Sequence, residues 1–141
     1  MTRLSERRLA LCLLLLRISL TVFMAIWVAD KFLNPGHTAA VFAGFYGVER
    51  DLAARFSWLL GLIQGFFVLA FALGYRRTIS YGVLLAMHLV STLSSYKQLL
   101  NPFNPERVYW ILFYAAIPTL AAFLILFLLR QHDRYSVDAM G

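Results

Sequence analysis

Apolar residues dominate four stretches of the chain, at about 9–29, 56–74, 79–96 and 108–129. Within each, the apolar positions run on without the alternation that a membrane β-strand shows. Each stretch is about 18–22 residues long, the length a helix needs to cross the hydrocarbon core of a bilayer. The pattern predicts an all-α fold: an integral membrane four-helix bundle, with residues 1–141 as a single membrane domain. Arg3, Arg7 and Arg8 precede the first stretch as they would a signal peptide. That stretch is long and interrupted by Arg17, so it reads as an uncleaved helix.

The polar segments between the stretches are unequal. Residues 75–78 make a short turn. Residues 30–55, "DKFLNPGHTAAVFAGFYGVERDLAAR", are too long and too apolar for a plain connector. Pro35 and Gly36 break the first helix, and "HTAAVFAGFYGV" reads as a short amphipathic or re-entrant segment at the membrane surface. The third connection, 97–107, turns on Asn-Pro pairs. "KFLNP" and "KQLLNP" resemble each other, but so short an apolar match reads as coincidence rather than duplication.

Composition reinforces the bilayer. The chain is 61% hydrophobic and 14% charged, against about 25% charged residues in a soluble domain. The net charge of +6 is then a topology signal, and no basic, aromatic-interleaved stretch suggests nucleic acid. Arg3, Arg7, Arg8, Arg76, Arg77, Arg130 and Arg134 fall on the side holding both termini. The other side has fewer basic residues, and acidic neighbours offset them. The positive-inside rule puts both termini in the cytoplasm. Trp27, Trp58 and Trp110 sit at the opposite ends of their stretches, where interfacial aromatics belong. The partners expected are the lipid bilayer and other membrane protein subunits.

Arg17 raises the question of function. A charged residue near the bilayer centre costs at least about 2.5–3.5 kcal/mol, so it calls for partners at its own depth. Counting from the midpoints of the apolar stretches places Gln64 and His88 near that level, with Tyr114 and Thr119 on the fourth stretch. Pro118 has no N–H to donate, which would leave the carbonyl of Tyr114 free. Gly61 and Gly65 beside Gln64 allow close helix approach. Ser91 and Ser95 share the face of His88.

Two readings follow. In one, Arg17 holds helices together through Gln64 and exposed carbonyls. In the other, Arg17, Gln64, His88, Ser91 and Tyr114 form a quinone-binding pocket. His88 would relay a proton there, and Arg17 would bind a quinone carbonyl or its one-electron-reduced anion. No catalytic residue and no metal ligand set is assigned. Cys12 is the single cysteine, which excludes internal disulfide chemistry and CxxC cycling. His37, His88 and His132 are dispersed, and a bis-histidine haem needs two membrane histidines where His88 alone qualifies. No covalently bound cofactor is expected; quinone and lipids are the candidate ligands.

"LLLRISLTVFMAIWVADKFLNP" resembles the opening of the DoxX-like membrane proteins, which include the DoxD and MauE relatives. Arg17, Lys31 and Pro35 match the arginine, lysine and proline of that pattern. "GLIQGFFVLAFALGYRRTISYGVLLAMH" is similar to the family's second hairpin. The family often has a glycine where Asp30 stands and a glutamate near Gln64. Beyond residue 90 the likeness is generic hydrophobicity. The resemblance implies a four-helix membrane protein associated with a redox system, such as thiosulfate:quinone oxidoreduction, methylamine dehydrogenase maturation or an oxidative-stress complex. The expected role is a small subunit of a membrane electron-transfer complex contributing to a quinone site. The alternative is a non-catalytic accessory or assembly subunit that stabilises partner subunits.

Overall fold

The computed structural model describes residues 3–141. Among them there is no strand. The helices are α1 (Arg3–Leu33), α2 (Pro35–Tyr46), α3 (Arg50–Leu73), α4 (Arg77–Ser94), α5 (Tyr96–Leu100), α6 (Ala116–Leu128) and a last turn, α7 (Val137–Met140). A 3-10 segment, Val108–Ala115, leads directly into α6.

Three helical stretches are long and apolar enough to cross a membrane: Arg3–Leu33, Arg50–Leu73 and the continuous Val108–Leu128. Length and composition therefore mark three spans where the apolar pattern predicts four. The fourth, α4, is diluted by Arg77, Ser80, His88, Ser91 and Thr92. Large apolar side chains such as Leu15, Ile26, Leu62, Phe66 and Leu112 face outward, as a lipid-facing surface requires.

Buried positions on α1 follow one stripe: Ala10, Leu13, Arg17, Leu20 and Met24. Their spacing of three and four is that of a helix-packing seam. Leu13, Leu20 and Met24 meet Val68 and Phe71 of α3, Tyr81 and Leu84 of α4, and Phe123 and Leu126 of α6 in one core. In lipid such packing rests on close contact and polar partners rather than on removal of apolar surface from water.

The antiparallel register of α1 and α3 is set by glycine. A Cβ on Gly61 would stand 2.8 Å from the ring of Phe32, and one on Gly65 would stand 3.4 Å from Val28. The small-residue face expected beside Gln64 thus receives α1.

The segment after α1 is a full helix, α2, packed on α3 and α1. Its apolar residues lie all round it, not on one face as the amphipathic reading expects, because both sides contact protein or a cavity. The two Leu-Asn-Pro turns have nearly identical backbones, with φ/ψ of −132°/65° at Asn34 and −134°/63° at Asn101. The restriction that proline places on the residue before it accounts for this without shared ancestry. Residues 129–141 fold back on the end of the molecule where the chain also begins, and Arg134 pairs with Glu6 at 2.8 Å. That end is called the tail end here, and the opposite one the loop end.

Candidate functional site

Arg17 sits at the inward position of the α1 stripe and is 3% exposed. Its Nη1 donates to the Asp133 carboxylate at 2.5 Å and to the Tyr81 hydroxyl at 3.1 Å. Its Nη2 donates to the backbone carbonyl of Tyr135 at 2.6 Å. Tyr81 in turn donates to the same Asp133 oxygen at 2.6 Å. Asp133 is fully buried.

The tail around it is tied down by further groups. Arg77 donates to the carbonyls of Arg130 and Asp133, and Ser136 donates to the Asp133 carbonyl. Asp138 accepts from the backbone N–H groups of Arg76 and Arg77, capping the otherwise unpaired start of α4. The Arg77 N–H, more than any other group, holds the Asp138 carboxyl below its usual value of 3.8.

The guanidinium therefore points into the protein and reaches α4, as expected, but its counter-ion comes from the tail. Arg17, Gln64 and His88 do not converge. The α1–α3 register that seats Val28 on Gly65 brings Arg17 beside Gly74, at the tail end of α3. His88 lies about two turns further along α4 from Tyr81, roughly 10 Å at 1.5 Å per residue. Counting from the apolar midpoints misplaces Arg17 because α1 and α3 are staggered: with Val28 on Gly65 and Arg17 beside Gly74, the middle of α1 meets the end of α3 and not its middle.

At the loop end, α1, α2, α3, α4 and the 112–119 segment enclose a partly open cavity of about 910 Å³. Phe23, Trp27, Phe42, Phe45 and Phe113 give it aromatic walls, and Gln64, His88 and Ser91 also line it. The Oε1 of Gln64 is buried with no protein partner among the described residues. His88 is 8% exposed, with its ring between Phe23 and Phe123 at 5.7 and 5.4 Å. Its Nε2 lies 3.2 Å from the carbonyl of Ala116. A carbonyl can only accept, so Nε2 is the donor, and in the neutral ring the lone pair is on Nδ1.

Arg17 and Tyr114 do not line this cavity. The Tyr114 hydroxyl donates to the carbonyl of Leu99 at 3.0 Å. Its own carbonyl is not left free by Pro118, because the backbone N–H of Ala116, at the end of the 3-10 segment, is shared between it and the carbonyl of Phe113. Of the five candidate residues, three share the cavity, one anchors the tail and one lies on the outer surface.

No family model, curated protein or solved structure matches this chain.

Proposed function

We propose that the chain is a DoxX-like integral membrane subunit of a larger redox or electron-transfer complex in the bacterial inner membrane. In this reading four helices cross the bilayer, both termini are cytoplasmic, and the loop-end cavity contributes to a quinone site. The observation that carries it is the cavity with the orphaned Gln64 acceptor on its wall. Its size lies within the range of about 300–1,000 Å³ typical of small-molecule sites. Its apolar walls suit a ring and a prenyl chain. The unpaired oxygen calls for a hydrogen-bond donor, and a quinol hydroxyl is one.

Quinone, when bound, supplies two-electron, two-proton acceptor chemistry. Gln64 would orient the head group through its free Oε1. His88 Nδ1 would hold or pass a proton while Nε2 stays on Ala116. Met24, Trp27 and Phe45 would exclude water. Electrons would come from partner subunits. The fourth crossing is supported by α4 itself: Ser80, Tyr81, His88 and Thr92 turn inward, while Ile79, Val90 and Leu93 face outward. The arginines at the tail end support the orientation.

The accessory-subunit reading has its own supporting observation. Arg17 is sealed inside the protein by the tail and does not line the cavity. His88→Phe separates the two readings, because it keeps the bulk and removes the proton chemistry. The expected result is an assembled complex whose quinone-dependent turnover falls about 10²-fold or more, the usual loss when an acid–base group is removed. Turnover equal to wild type in the assembled variant would leave the accessory role.

A further inference from the structure

The loop end of the same cavity contains a cation with no ion-pair partner in contact among the described residues. Lys31 is half-buried and lines the cavity, whose wall includes neither arginine nor any carboxylate. Its ammonium has three donors to place, and it donates to the carbonyl of Trp27 at 3.2 Å. Among the described residues no carboxylate lies within ion-pair distance of it. The neighbouring Asp30 is already engaged by His37 at 2.6 Å and by Asn34 at 3.0 Å.

The lysine is also held in place. Its Cβ packs 3.3 Å from where a Cβ on Gly61 would stand. Its carbonyl accepts from the Ser57 hydroxyl at 2.7 Å. Beside it, the Trp27 ring stacks on His37, with centroids 6.3 Å apart. A half-buried lysine on the wall of a large aromatic-lined cavity is complementary to an anion with an apolar tail.

We infer that the loop end of the cavity binds the oxyanion head group of an acyl-chain amphiphile, with Lys31 as the head-group ligand and the aromatic cavity holding the chain. An uncharged quinone has no use for Lys31, so this goes beyond the redox reading and does not rest on it. A free fatty carboxylate and an anionic phospholipid offer the same chemistry, and the test distinguishes them.

Trp27 provides the reporter. Trp58→Phe with Trp110→Phe leaves Trp27 as the single tryptophan of the full chain. In neutral detergent, a brominated fatty acid should quench Trp27 with an affinity about ten-fold or more above that of the brominated alcohol of equal length. Lys31→Gln should abolish that difference by weakening acid binding alone, and Lys31→Arg should retain it. Quenching by brominated phosphatidylglycerol as well as by the acid identifies a bilayer lipid as an occupant, and quenching by the acid alone identifies a single-chain acid. Native mass spectrometry of the unsubstituted chain with acid and alcohol repeats the comparison without any variant. Equal binding of acid and alcohol, or undiminished acid binding by Lys31→Gln, would overturn the assignment, as would absence of binding.

Discussion

Asp133→Ala should destabilise the protein by about 3–5 kcal/mol, the loss typical when one partner of a buried ion pair is removed. Asp133 is fully buried and its carboxylate is shared by Arg17 and Tyr81. Truncation leaves a guanidinium, itself 3% exposed, with the Tyr81 hydroxyl and one backbone carbonyl as partners. It also releases the tail, because Tyr135 loses the fixed geometry of Arg17. Thermal denaturation in detergent reads the loss, and early proteolysis of residues 129–141 reads the release. The combined Arg17→Met and Asp133→Leu variant should recover most of the stability, since neither charge then has to be desolvated. An Asp133→Ala protein within about 0.5 kcal/mol of wild type, the range of an ordinary surface substitution, would show that the pair does not hold the tail.

Gly74→Ala should damage the same junction from the other side. Gly74 has φ of 66°, a left-handed conformation that costs a residue with a Cβ about 1–2 kcal/mol. The added carbon would overlap the Ser136 Cβ and stand 2.8 Å from Arg17 Nη1 and 2.9 Å from the Ser136 backbone. Ser136 is fully buried, so the tail has to shift, adding about 1–3 kcal/mol of overpacking. Gly36→Ala is the control, because its Cβ meets open space. The expected outcome is a clear fall in melting temperature for Gly74→Ala with none for Gly36→Ala. Equal stability of the two variants would contradict the packing described at Gly74.

The inward direction of Arg17 was legible in the sequence. A charge at bilayer depth calls for protein partners, whereas the stripe it shares with Ala10, Leu13, Leu20 and Met24 emerges only in the structure, because apolar residues surround it in the sequence. The identity of its partner was not legible. Asp133 and Ser136 lie beyond the last apolar stretch, in a short charged tail that reads as solvated. Only folding that tail back over Gly74 takes them out of water. Depth was misjudged because α1 and α3 are staggered: Arg17, near the middle of α1, lies beside Gly74 at the end of α3, and apolar midpoints carry no information on such an offset. Gly61 and Gly65 marked a close helix approach without naming the helix; the structure gives it to α1, and the register there separates Arg17 from Gln64. The cavity was legible only in its polar residues. Gln64 and His88 came from the search for depth partners and Ser91 from the face of His88, whereas the α2 wall arises from a segment that the sequence reads as lying at the membrane surface.

The claim that the chain is locked at its tail end and holds a ligand at its loop end is tested most directly by photolabelling. A photoreactive quinone analogue with a prenyl tail would be cross-linked in native membranes and its attachment sites mapped by mass spectrometry. Labels that excess unlabelled quinone suppresses should fall on residues 23–31 of α1 and 83–94 of α4, around Trp27, His88 and Ser91. Suppressible labels around Arg17, Tyr81 and Tyr135, or none that unlabelled quinone suppresses, would contradict it.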